Sequence, residues 1–253
     1  MRVFFLLALI TTSATIAHAA SIVAPPGSPN SASSDPFLST TDNAQSVRYQ
    51  QVYGASDFST QGSPQYLISE IRFEGGEGSG PIDDVLPNVQ IYLSTTMQSA
   101  DSLSPVFGEN IGLNNMLVYS GPIDWTYGSG PGGPFSFRIP LQQPFLYDWS
   151  AGNLLMEVRN YQTLPPNVLP PSTRLFALWD TFGDTTSYVA AFDVNSPNAS
   201  RLNTGGLWTM FTVTGVPEPS TICLLLVGVS ALVLIAGRRR AHHRAASGLT
   251  QPR

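Results

Sequence analysis

The chain has 253 residues, 42% hydrophobic and 11% charged, with a formal charge of −5. Between Ala20 and Val216 sixteen acids face six arginines and no lysine, a net charge of −10 that repels phosphates and argues against nucleic-acid binding. The one cysteine, Cys223, excludes an internal disulfide framework, so the fold must rest on its apolar core.

In chain order, Met1-Arg2 gives a minimal positive start and residues 3–10 form an unbroken apolar run. The run is too short to span a bilayer. It is followed by Ala17-His18-Ala19, whose small residues at alternate positions fit a signal peptidase pocket. Residues 1–19 therefore read as a signal peptide cut after Ala19, with Ala17 and Ala19 as the recognition positions. Residues 20–46 are rich in Ser, Pro, Ala and Thr without periodicity and are expected to form a flexible mature N-terminus.

From residue 47 a period of two takes over, predicting an ectodomain over residues 47–215. Leu67, Ile71 and Phe73 share one face, and Glu70, Arg72 and Glu74 the other. Val89, Ile91 and Leu93 alternate with Gln90, Tyr92 and Ser94, and Phe135, Phe137, Ile139 and Leu141 with Ser136, Arg138 and Pro140. Leu154, Met156 and Val158 oppose Leu155, Glu157 and Arg159. Weaker strands are expected over 47–53, 116–120, 174–179, 188–193 and 207–214, about nine in all, each with one buried and one wet face. Glycine and proline clusters divide them, and no amphipathic helix of ten residues occurs in this region. The expected fold is all-β, an antiparallel β-sandwich of jelly-roll type.

The chemistry open to such a domain is narrow. The histidines are His18, His242 and His243, so residues 20–216 hold no histidine, cysteine or lysine. That removes Ser-His-Asp and Cys-His nucleophiles, Schiff-base lysines and the usual zinc, copper and iron sites, and no cofactor is expected. A carboxylate pair cutting a glycosidic bond needs none of these, and Glu74, Glu77, Asp83, Asp84, Asp124, Asp148 and Asp180 are available. The first four also offer oxygen ligands for calcium, but without EF-hand spacing. Trp125 and Trp149, beside Tyr127, Tyr147 and Trp179, are candidate contacts for extracellular polysaccharide, since aromatic faces flanked by acids suit sugar rings. A purely structural surface protein is the other reading, and a non-enzymatic role is expected of both.

After residue 215 the chain reads Val216-Pro217-Glu218-Pro219-Ser220-Thr221, then apolar from 222 to 236, then Gly237-Arg238-Arg239-Arg240. Residues 220–237 carry no charge and reach the lower limit for a membrane-spanning helix. Arg238, Arg239 and Arg240, in a basic cluster over 238–244, place the C-terminus in the cytoplasm, the orientation a cleaved N-terminal signal also demands. Residues 245–253 would be a cytoplasmic tail. The ectodomain would then stand outside the cytoplasm at the cell envelope, on a single-pass anchor.

The order of the three parts over residues 216–244 resembles the PEP-CTERM sorting signal, with Val216, Pro217, Glu218 and Pro219 as its motif. The resemblance implies recognition by a membrane-embedded exosortase, removal of the helix near the motif, release to the surface or matrix, and an association with exopolysaccharide.

Overall fold

The computed structural model of the protein describes residues 19–27, 31–34, 46–61, 63–74, 85–124, 135, 137–161, 174–178, 183–216 and 230. The apolar run at 3–10 and the expected helix over 220–237, Ser230 apart, lie outside these residues. Among the described residues no helix is long and apolar enough to cross a membrane. By its internal contacts the chain divides after Val216 into two units, and all the strands belong to the first.

The alternating segments become strands because β-branched and aromatic residues fit a pleated surface with one face buried. The strands are β1 (Ala19–Ala24), β2 (Ser31–Ser34), β3 (Val47–Tyr53), β4 (Gln65–Phe73), β5 (Val85–Thr96), β6 (Met116–Asp124) and β7 (Phe137–Asp148). They continue as β8 (Asn153–Asn160), β9 (Arg174–Leu178), β10 (Thr186–Ala191), β11 (Arg201–Asn203), β12 (Gly206–Leu207) and β13 (Thr209–Gly215). Helix is confined, among the described residues, to 3-10 turns at Ala55–Gln61 and Trp149–Ala151 and the single turn α1 (Phe107–Asn110), apart from the lone helical residue Ser230.

One sheet runs β1-β13-β4-β7, a second runs β11-β10-β3-β8-β5-β6, and a small third runs β12-β9-β2. Each of these pairings is antiparallel. The long strands pair as a nested series: β1 with β13, β3 with β8, β4 with β7 and β5 with β6. The β13–β4 and β8–β5 ladders then join these pairs into the two main sheets.

The apolar faces of both main sheets meet in one core. Ile68, Ile71, Phe73, Phe137, Ile139 and Phe211 come from the four-stranded sheet, and Tyr49, Val89, Ile91, Leu93, Leu154, Met156 and Val158 from the six-stranded one. Phe58, from the first 3-10 turn, packs edge-on to Tyr147 at 4.9 Å and tilted against Phe211 at 5.5 Å. Two buried phenols have partners: Tyr53 shares a 2.7 Å hydrogen bond with Thr209, and Tyr147 donates to the Gly152 carbonyl at 2.8 Å.

Three expectations change. Residues 20–24, read as the start of a flexible mature N-terminus, belong to β1, and its Ile22 and Ala24 enter the core. The register of β4 slips between Ile68 and Glu70, so Tyr66 and Ile68 point inward and Leu67 outward. A bulge of one residue reverses the faces beyond it, which strict alternation cannot anticipate. Finally, the outer face of the six-stranded sheet is not wet at its centre. Val52, Leu155, Val189 and Ala191 are buried there in a second apolar cluster, closed by Leu103 and Phe107 from the β5–β6 connection.

Candidate functional site

The charged groups of the sheets are spent on structure. Glu157, in the middle of β8, is 2% exposed. Its carboxylate meets Arg48 at 3.1 Å and is held by Arg159 and by the Gln50 amide. Gln50 also donates to the Phe107 carbonyl at 3.1 Å and accepts from Asn110 at 2.9 Å, while the Arg48 guanidinium lies 4.4 Å over the Phe107 ring. This network fastens α1 to the sheet. On the four-stranded sheet Glu70 accepts from Arg72, from Arg138 at 2.8 Å and from Thr212 at 2.9 Å. Burial would raise the Glu70 carboxyl, but the hydrogen bonds from Arg138, Arg72 and Thr212 and the Arg72 charge hold it below its ordinary range.

A cleft of about 640 Å³ opens at one end of the two main sheets. It is lined by Gln65, which begins β4, Leu146 and the final β7 residue Asp148, and by Thr95–Gln98 with Glu109 and residues 111–114, which contact one another. Two glycines let the loops close on the end of β5. A side chain at Gly112 would place its Cβ 1.7 Å from the Thr95 carbonyl oxygen, and Gly152, at φ +149°, would place it 2.6 Å from that of Thr96. Asn114 accepts from the Thr95 amide at 2.7 Å and donates to its hydroxyl at 2.9 Å, which fixes the 111–114 loop. Asp148 accepts from the Ser150 amide at 2.9 Å and from Gln65 at 3.1 Å. The Ser150 and Gln65 side chains, with the Ser150 and Ala151 amides, hold the Asp148 carboxyl below its usual range, the reverse of what a general acid needs. The cleft exposes apolar tips: Met97 is 87% and Leu113 109% exposed, the two highest values among large hydrophobic residues described.

The exit of the chain adjoins this cleft. Gly215 pairs with Tyr66, the Val216 amide donates to the Gln65 carbonyl at 3.0 Å, and Ser63 donates to the Val216 carbonyl at 3.2 Å.

Of the candidate residues read from sequence, Trp149 is half-buried against the main core and its indole N–H donates to the Ser63 carbonyl at 2.7 Å. It does not line the cleft. Ala19 is the first residue of β1, and Val216 follows the last residue of β13. Ala17, Trp125, Pro217, Glu218, Pro219, Arg238, Arg239 and Arg240 lie outside the described residues, as do Glu77, Asp83, Asp84 and Asp180. Glu74 follows the last residue of β4, and burial pushes its carboxyl up. Among the described residues no three His, Cys, Asp or Glu side chains gather into a metal-binding group. Met97 and Leu113 escape notice in the sequence because each sits in a short irregular loop, with no periodicity to mark its exposure.

Residues 215–240 match the family model for the PEP-CTERM protein-sorting motif. No curated protein and no solved structure matches the chain. Where β13 ends, at Gly215, a second functional element thus begins: the chain carries a PEP-CTERM protein-sorting motif over residues 215–240.

Proposed function

We propose that the protein is exported, held at the cell envelope by the apolar segment after the motif, and handed by an exosortase to the surface or matrix as a folded, non-enzymatic passenger. The match of residues 215–240 to the sorting motif is the observation that carries this reading. The apolar stretch 222–236 and Arg238–Arg239–Arg240 supply the anchor and its orientation. The passenger is read as a jelly-roll β-sandwich, supported by the nested pairing of β1 with β13, β3 with β8, β4 with β7 and β5 with β6. Such nesting is what results when one long hairpin of eight strands is rolled into two facing sheets.

A structural rather than catalytic role is supported by where the charge goes. Glu70 and Glu157 are each engaged by two arginines, and the cleft carboxylate Asp148 is held in its ionised form. Association with extracellular polysaccharide comes from the resemblance of the signal, and the anchoring of Trp149 to Ser63 favours the structural passenger over a tryptophan-based sugar platform.

The test is the sorting motif itself. Replacing Pro217, Glu218 and Pro219 by alanine should leave a full-length, membrane-bound chain in cells that shorten the wild type. A wild-type chain that keeps its C-terminal segment in a strain expressing exosortase would overturn the reading.

A further inference from the structure

The cleft at the end of the sheets has an occupant suggested by where the chain goes next. Val216 is hydrogen-bonded to Gln65, a wall residue of the cleft. Three residues, Pro217-Glu218-Pro219, separate it from Ser220, where the uncharged anchor segment begins. Four steps of extended chain reach at most about 14 Å. Met97, Leu113 and Leu146, exposed by 87%, 109% and 50%, line the same cleft as Gln65, and Leu67, paired with both Leu146 and Thr214, is 37% exposed. Large exposed apolar groups gathered on one cleft are the kind of surface that meets an apolar partner.

We propose that the Met97, Leu113 and Leu146 rim is a membrane-contact surface, seated on the lipid headgroup layer while the chain is still anchored. This contact rests on the anchored, exported reading of the protein. A tether of so few residues keeps the rim at high effective concentration against the bilayer, so a few shallow side-chain insertions suffice to hold it there. Among the described residues no arginine lines the cleft, and its carboxylates are engaged locally, Glu109 by the Ser104 hydroxyl and Asp148 by the Ser150 amide and Gln65. The partner is therefore the headgroup–acyl boundary reached by apolar insertion, not an anionic surface drawn by charge. Cleavage near the motif would cut the tether and with it the contact.

The test uses the full chain, with Cys223→Ser, in bilayers of phosphatidylethanolamine and phosphatidylglycerol doped with doxyl-labelled lipid. An environment-sensitive fluorophore is attached at Leu113→Cys, or at Met97→Cys should the first label disturb folding. A control label goes at Val85→Cys, which is also exposed but begins β5, about 36 Å of strand from its other end. The expected result is a blue shift and loss of emission at Leu113, with neither at Val85, unchanged at high salt. Equal emission at the two sites in a chain that resists carbonate extraction would overturn the inference while leaving the anchoring intact. Quenching that salt abolishes would overturn the apolar mode of contact. A chain that carbonate releases would remove the anchored reading and this inference together.

Discussion

Phe137 and Arg138 are neighbours on β7 with opposite fates. Phe137 is 8% exposed and lies 6.1 Å from Phe73 across the ladder, whereas the Arg138 side chain is 58% exposed. Phe137→Ala is expected to cost about 3–5 kcal/mol in denaturant unfolding, because a cavity replaces a large ring. Arg138→Ala should cost less than about 1 kcal/mol, since Glu70 keeps Arg72 and Thr212 and the lost pair is largely solvated. Comparable losses for the two would contradict the inward assignment of Phe137. Asp57 gives a pH test. Burial pushes its carboxyl up from 3.8 to about 6, opposed by hydrogen bonds from Thr185 and Ser56 and reinforced by the Asp184 charge. The folded state then holds this proton more tightly than the unfolded one, so the contribution is present below 3.8 and is lost as pH rises towards about 6. Asp57→Asn should match the wild type near the lower end of that window and exceed it above pH 6 by on the order of 1–2 kcal/mol. A variant whose advantage does not grow with pH would refute the buried-acid account.

At the scale of elements, the sequence is legible where alternation is strict and long. The nine strand segments read from periodicity have counterparts in β3 to β10 and β13. What escapes has physical reasons. In β1, Ala19-Ala20-Ser21-Ile22-Val23-Ala24 carries mostly small residues, and its place in the sheet comes from pairing with β13, nearly the whole chain away. The sequences Arg201–Asn203 and Gly206–Leu207 are too short to show a period. The second core is hidden because Leu155, next to Leu154, looks like a break in alternation until Leu103 and Phe107 are known to cover it. Glu157 reads as wet for the same reason, being buried by α1 and its own arginines. The candidate site is less legible still, since its rim is built from isolated loop residues brought together by the ends of β4, β5 and β7. Phe107→Ala should expose this arrangement. It is expected to cost about 3–5 kcal/mol and to raise amide exchange over residues 104–112, with the main core still protected. Uniformly raised exchange would mean that α1 is not a separate cap on the sheet.

For the molecule as a whole, the proposed topology has Arg238, Arg239 and Arg240, which follow an uncharged run, hold the C-terminus in the cytoplasm. A reporter active only outside the cytoplasm should stay silent when fused after Arg253, before processing, and activity there would reverse the assigned orientation. The pairing of Ala19 through Ala24 with Thr214 through Thr209 also sets an order in time. β13 lies between β1 and β4, so neither ladder can form until the last strand of the domain has appeared. In a chain secreted from its N-terminus, the four-stranded sheet stays open, with β1 waiting, through almost the whole of translocation. It can close only as Gly215 clears the channel, and the sorting motif is the next segment to arrive. Completion of the fold and presentation of the sorting motif are thereby made consecutive events.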